Sequence, residues 1–145
     1  MLRIEESRLK HSVEVARKAQ RLALARKLFD LNYAGEMFTL GWLHDMGYEF
    51  SEVASDHPER GGVILKQQGY KNWREIYYHS NPESPYQSPY QSPELDILNT
   101  ADMLTGPNGE YLTAEVRLKD ISERYGIKSN QYVNAEKICR QLDLI

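Results

Sequence analysis

Cysteine is almost absent from this 145-residue chain: Cys139 stands alone. A single thiol cannot close an internal disulfide, so nothing points to an oxidising compartment. No apolar run approaches the ~20 residues of a membrane-spanning helix. The opening residues, Met1-Leu2-Arg3-Ile4-Glu5-Glu6, contain no apolar signal core. Excess positive charge is missing too: 18 Lys+Arg face 21 Asp+Glu, a formal charge of −3. That mild acidity gives no overall field for a nucleic-acid polymer or an acidic membrane surface. The expected setting is cytoplasmic, with neither a nucleic-acid polymer nor a membrane as partner. The sequence leaves the oligomeric state open.

Also lacking is any alternating apolar/polar stretch strong enough to predict a sheet. The pattern is helical nearly throughout. With 41% hydrophobic residues over this length, the chain suits one domain, 1–145, with a substantial core. From Ser7 to about Phe29, His11, Val15, Ala19 and Leu22 recur at helical steps, which puts His11 on an apolar stripe. Asn32 and Gly35 punctuate its end. A second helix is expected from about Ala34 to Met46, with His44 and Asp45 in its last turn and Gly47 as a C-terminal stop. His57-Pro58 reads as an N-cap and first helical position of a third helix, which runs to about Gln68. Gly61-Gly62 inside that helix costs roughly 1 kcal/mol per glycine, and close approach of another backbone is the expected compensation.

A shorter helix is expected over about Asn72–Ser80, carrying His79. Residues 84–93 form a tandem Ser-Pro-Tyr-Gln repeat, whose prolines exclude a regular helix. The next helix starts near Pro93, with Leu95, Leu98 and Asp102 on one stripe. Gly106-Pro107-Asn108-Gly109 is a turn. Two last helices fit Thr113–Tyr125 and Asn130–Leu142, separated by Gly126. The fold class is therefore all-α, a bundle of about six or seven helices.

The chain has four histidines, His11, His44, His57 and His79. Each alone has an ordinary explanation: a core imidazole, a helix cap, or, for His44-Asp45, a common dipeptide. Asp102 alone is a surface carboxylate or half of an ion pair. Jointly they change meaning. All lie on, or at the ends of, different predicted helices, and helical bundles build metal sites from inward residues of facing helices. Imidazoles with carboxylates suit manganese, iron, cobalt, nickel or zinc better than calcium, and an aspartate can bridge two such ions.

The sequence resembles the HD-domain superfamily of metal-dependent phosphohydrolases over about residues 8–105. The resemblance rests on Arg8-Leu9-Lys10-His11-Ser12, Gly41-Trp42-Leu43-His44-Asp45-Met46-Gly47, His57-Pro58-Glu59-Arg60-Gly61-Gly62, Ile76-Tyr77-Tyr78-His79-Ser80 and Asn99-Thr100-Ala101-Asp102. It implies a compact HD-type bundle whose core set is His11, His44, Asp45 and Asp102. His57 and His79 match the two further histidines of a binuclear subgroup. The resemblance thus assigns one ion to His11, His44, Asp45 and Asp102, and a second to His57 and His79 with Asp45 between them. It further implies a hydrolase of small phosphate esters, nucleotides among them, with a metal-bridged hydroxide as nucleophile and His44 and Asp45 at the chemical centre. Two divalent transition-metal ions are the expected cofactors, iron or manganese favoured. One position departs: relatives commonly carry lysine three residues after the His-Asp aspartate, where this chain has Tyr48.

Candidate substrate contacts are Arg60, one turn after His57, and Tyr86 and Tyr90 of the repeat loop, which starts and ends near the expected ligands. Two other readings compete with hydrolysis: a mixed-valent di-iron oxygenase of the same superfamily, and a non-catalytic regulatory module. Cys139 is expected to be a packed small residue.

Overall fold

Helical spacing in the sequence becomes helix in a computed structural model, which describes residues 6–49, 57–80 and 90–145. Among the described residues there are seven α-helices: α1 (Glu6–Arg26), α2 (Leu31–Leu43), α3 (His57–Gln67), α4 (Trp73–Tyr78), α5 (Pro93–Met103), α6 (Ala114–Tyr125) and α7 (Asn130–Gln141). A short 3-10 helix, Met46–Glu49, follows α2. The described residues contain no strand, only an isolated bridge between Thr105 and Tyr111. None of their helices is long and apolar enough to cross a membrane.

Four helix starts are fixed by side chains. Asp30 accepts from the Tyr33 N–H at α2, Ser92 from Leu95 at α5, Thr113 from Val116 at α6 and Ser129 from Tyr132 at α7. Each such cap typically contributes about 1 kcal/mol.

The boundary between α1 and α2 differs from the sequence expectation. Helix α1 ends at Arg26, and Phe29 turns the chain with φ 63° while 93% exposed. Asp30 then starts α2, so Gly35 lies inside a helix instead of ending one. At its far end α2 stops at Leu43, one residue before His44, and Gly47 is not a left-handed stop.

The main core gathers α1 to α5. Val15, Met37, Leu40, Ile76 and Leu98 are wholly buried there. Burying an aliphatic side chain of this size stabilises by about 1.5–3 kcal/mol. Helix α1 presents Ala16, Ala19 and Ala23 inward, and these small residues let α2 approach closely. A Cβ on Gly41 would stand 2.6 Å from the Ala16 Cα. A second cluster joins Met103 to Leu118 and Ile121 of α6 and to Ile138 and Cys139 of α7.

The glycine pair in α3 has the expected role. Gly61 lies against the backbone of Gly47, and Gly62 against Tyr77 of α4, where an added Cβ would stand 2.5 Å from the Tyr77 Cβ. One helix is thereby pressed between the 3-10 segment and α4.

Candidate metal centre

Six side chains converge where these helices meet. His11 projects from the inner stripe of α1. His44 caps α2, and Asp45 sits in the turn just beyond it. His57 is the first residue of α3, and His79 caps the C-terminus of α4. Asp102 lies on the buried face of α5. His44 and His79 are wholly inaccessible, and His11 and Asp102 are buried.

Three backbone carbonyls set the imidazole orientations. His11 Nδ1 lies 2.8 Å from the Gly106 oxygen, His44 Nδ1 2.6 Å from Gly41, and His79 Nδ1 2.6 Å from Ile76. A carbonyl only accepts, so each Nδ1 donates its hydrogen and each Nε2 is turned toward the common centre. Local structure explains two of these bonds, because a C-capping histidine reaches the carbonyl three residues back. The third depends on the turn after α5. Gly109, with φ 84°, rests against the Lys10 carbonyl of α1, and this brings the Gly106 oxygen over His11.

The two aspartates face those nitrogens. Asp45 Oδ2 is 3.2 Å from His44 Nε2 and 3.6 Å from His11 Nε2. Its other oxygen, Oδ1, is 3.2 Å from His57 Nε2 and 3.5 Å from His79 Nε2. Asp102 Oδ1 is 2.9 Å from His11 Nε2 and 3.5 Å from His44 Nε2. The Nε2 atoms of His57 and His79 are 3.1 Å apart. Asp45 thus turns one oxygen to each of two histidine pairs.

This spacing fits a bound metal. Bonds of about 2.1 Å put neighbouring donor atoms about 3.0 Å apart in an octahedron and about 3.4 Å apart in a tetrahedron. The chemistry fits as well. His44 Nε2 is fully buried and makes no hydrogen bond; both carboxylates are at ion-pair distance but off the N–H direction. Such an orphaned nitrogen is costly unless a cation takes its lone pair. Two triads, the buried His11–His44–Asp102 and the partly buried His44–Asp45–His79, have donor atoms close enough together to hold an ion.

Electrostatics follow the same geometry. Burial opposes charge on His44, yet Asp45 and Asp102 hold its imidazole well above the ordinary value. Burial likewise opposes ionisation of both carboxylates, and His44 beside them outweighs it, keeping Asp45 and Asp102 well below the usual range. For His79 burial dominates and lowers its basicity.

Supporting groups lie beside the six candidate ligands. Ser80, turned by a φ of 62°, places its Oγ 3.4 Å from Asp102 Oδ2, and its N–H donates to Asn99 Oδ1 at 3.3 Å. Asn99 precedes Asp102 by three residues on α5, and that spacing was the available signal. Nothing in the sequence marks the Gly106 carbonyl. Tyr48 stacks on His57, with ring centres 3.9 Å apart and planes 12° from parallel, and the Arg8 guanidinium covers the Tyr48 ring at 3.9 Å.

Of the substrate-contact candidates, Arg60 is exposed on α3. Tyr90 stacks on Tyr78, with ring centres 5.3 Å apart, in a cluster with Tyr77 and Leu95. Its place is thus in an aromatic patch and not among the six side chains. Tyr86 and repeat residues 84–89 lie outside the described residues. Cys139 is buried, and desolvation pushes its thiol up to about 11, as befits a packing residue.

Comparison with known proteins returned no matching family model, no matching curated protein and no matching solved structure.

Proposed function

We propose that this chain is a metal-dependent hydrolase of small phosphate esters, nucleotides included, and a member of the HD-domain superfamily. The observation that carries the proposal is Asp45, whose two oxygens face two separate histidine pairs. That arrangement suits a pair of transition-metal ions sharing one carboxylate, with iron or manganese favoured over cobalt, nickel or zinc. His11, His44, Asp45 and Asp102 would hold one ion, and His57, His79 and Asp45 the other. Such ions, when bound, lower the pKa of a coordinated water and polarise a phosphoryl oxygen.

The protein's own contribution is positional. The three Nδ1–carbonyl bonds fix the imidazole faces before any ligand arrives. Ser80 steadies the outer oxygen of Asp102. The glycine contacts of α3 bring it against α4, where the Nε2 atoms of His57 and His79 come within 3.1 Å. No serine or cysteine nucleophile is required.

Elemental analysis of freshly purified protein is expected to give two ions per chain. The loaded protein is expected to release phosphate from at least one member of a phosphoester panel, and EDTA to abolish that release. Asp45→Asn, which keeps the shape but removes the charge, is expected to lower metal content below one ion per chain. Phosphate release should then fall about a hundredfold or more. Metal-loaded protein inert toward the whole panel would overturn the reading. An iron pair that consumes oxygen without releasing phosphate would replace it with the oxygenase alternative. A chain that takes up no metal would favour a regulatory module.

A further inference from the structure

Two cations of α1 pair with carboxylates, Lys10 with Glu6 and Arg17 with Glu14, and Lys18 lies over the Tyr111 ring. Arg8 differs. It precedes His11 by three residues on the same helix, and among the described residues no carboxylate pairs with it. Its partner is the face of Tyr48, 3.9 Å from the guanidinium carbon. The imidazole of His57 is stacked on the same ring at 3.9 Å. Two planar groups cannot share one face at that distance, so Tyr48 lies between them.

A cation over a ring face need not spend its N–H donors on the ring. The guanidinium's five N–H donors lie in the plane and point outward from the edges, in the fork that matches two oxygens of a phosphoryl group. Because the ring already orders the side chain, little rotamer freedom is left to lose when an anion binds. The stack ends on His57, whose Nε2 is 3.2 Å from Asp45, so the cation stands two rings away from the carboxylate that faces both histidine pairs.

We infer that Arg8, laid on Tyr48, is the substrate-anion residue of this pocket: its edge donors hold the non-bridging oxygens of a phosphoryl group presented to the six-residue centre. The inference deepens the phosphoester reading and rests on it for the identity of the anion.

The probe is inorganic phosphate, titrated into Mn²⁺-loaded protein and followed by calorimetry. Metal content is measured on the same samples. Arg8→Ala is expected to weaken phosphate binding by about tenfold or more while the metal stoichiometry stays that of the parent. Arg8→Lys, which keeps the charge but lacks the planar fork, is expected to restore only part of the affinity. In turnover the loss should appear chiefly in KM, with kcat within about threefold. Equal phosphate affinity in parent and Arg8→Ala at equal metal content would overturn the inference. So would full rescue by lysine, which would make the stack irrelevant. If Arg8→Ala does not fold, Arg8→Lys carries the comparison alone. Phosphate that binds through Arg8 in a protein that hydrolyses nothing would sink the hydrolase reading and leave this one standing.

Discussion

His44 governs the proton balance of the pocket. Its imidazole is buried between Asp45 and Asp102, which hold it well above the ordinary histidine value, so the metal-free pocket keeps a proton there near neutrality. A metal ion needs the neutral ring and must displace that proton. The sign follows. Apparent metal affinity rises with pH until the raised value of His44 is passed, by about tenfold per pH unit for each proton displaced. The carboxylates stay ionised across this range because their own values are lowered, so they add no slope. Titration calorimetry at pH 7 in two buffers of different ionisation enthalpy is expected to give different heats, reporting net proton release. Identical heats would mean that His44 is already neutral.

At the scale of elements, close packing of α1 on α2 is what sets His44. Gly41 provides both the flat surface that meets Ala16 and the carbonyl that takes the His44 ring hydrogen. Gly41→Ala would drive a Cβ to 2.6 Å from the Ala16 Cα, a clash with backbone that no rotamer relieves. Overpacking of this kind costs about 1–3 kcal/mol, and the displaced end of α2 is expected to lower metal content with it. Gly35 is the control: it lies in the same helix with nothing within 4 Å of an added Cβ. Gly35→Ala should therefore stabilise by about 0.5–1 kcal/mol. Urea unfolding of the two variants reads both signs.

These same elements show what sequence makes legible. Helices α5, α6 and α7 begin within a residue of the expected positions, because Ser92-Pro93, Thr113 and Ser129 are capping signals independent of tertiary context. The start of α2 departs from expectation because Asp30 caps from within a turn whose φ-positive residue is Phe29, where glycine or asparagine is the usual signal. All six ligand candidates are legible as residue types spread over five helices or their ends, His44 and Asp45 sharing one. Their orientation is not, because it depends on carbonyls of Gly41, Ile76 and Gly106, and every residue carries a carbonyl. The Arg8–Tyr48–His57 stack is equally hidden: it joins three segments by shape alone.

Across the whole molecule, the metal candidates and the α6–α7 cluster occupy different parts of the core. Candidate ligands come from α1, the end of α2, α3, α4 and α5, whereas α6 and α7 pack on Met103 without supplying one. A metal that binds only the folded state stabilises by mass action, about 2.7 kcal/mol at a hundred times its Kd. Mn²⁺ or Fe²⁺ is thus expected to raise the melting temperature, and EDTA to reverse the rise. Hydrogen exchange should slow most in the amides of α1 to α5 and less in α7. Uniform slowing through α7 would show that the two clusters open together.

The four residues from Gly106 to Gly109 look like a spare connector of the sort chosen for splicing in a tag or reporter. Yet their backbone steers an imidazole 95 positions upstream. An insertion there would leave every candidate ligand in the sequence while releasing the His11 ring to swivel, so the altered chain would keep its whole histidine inventory and is expected to take up metal less tightly.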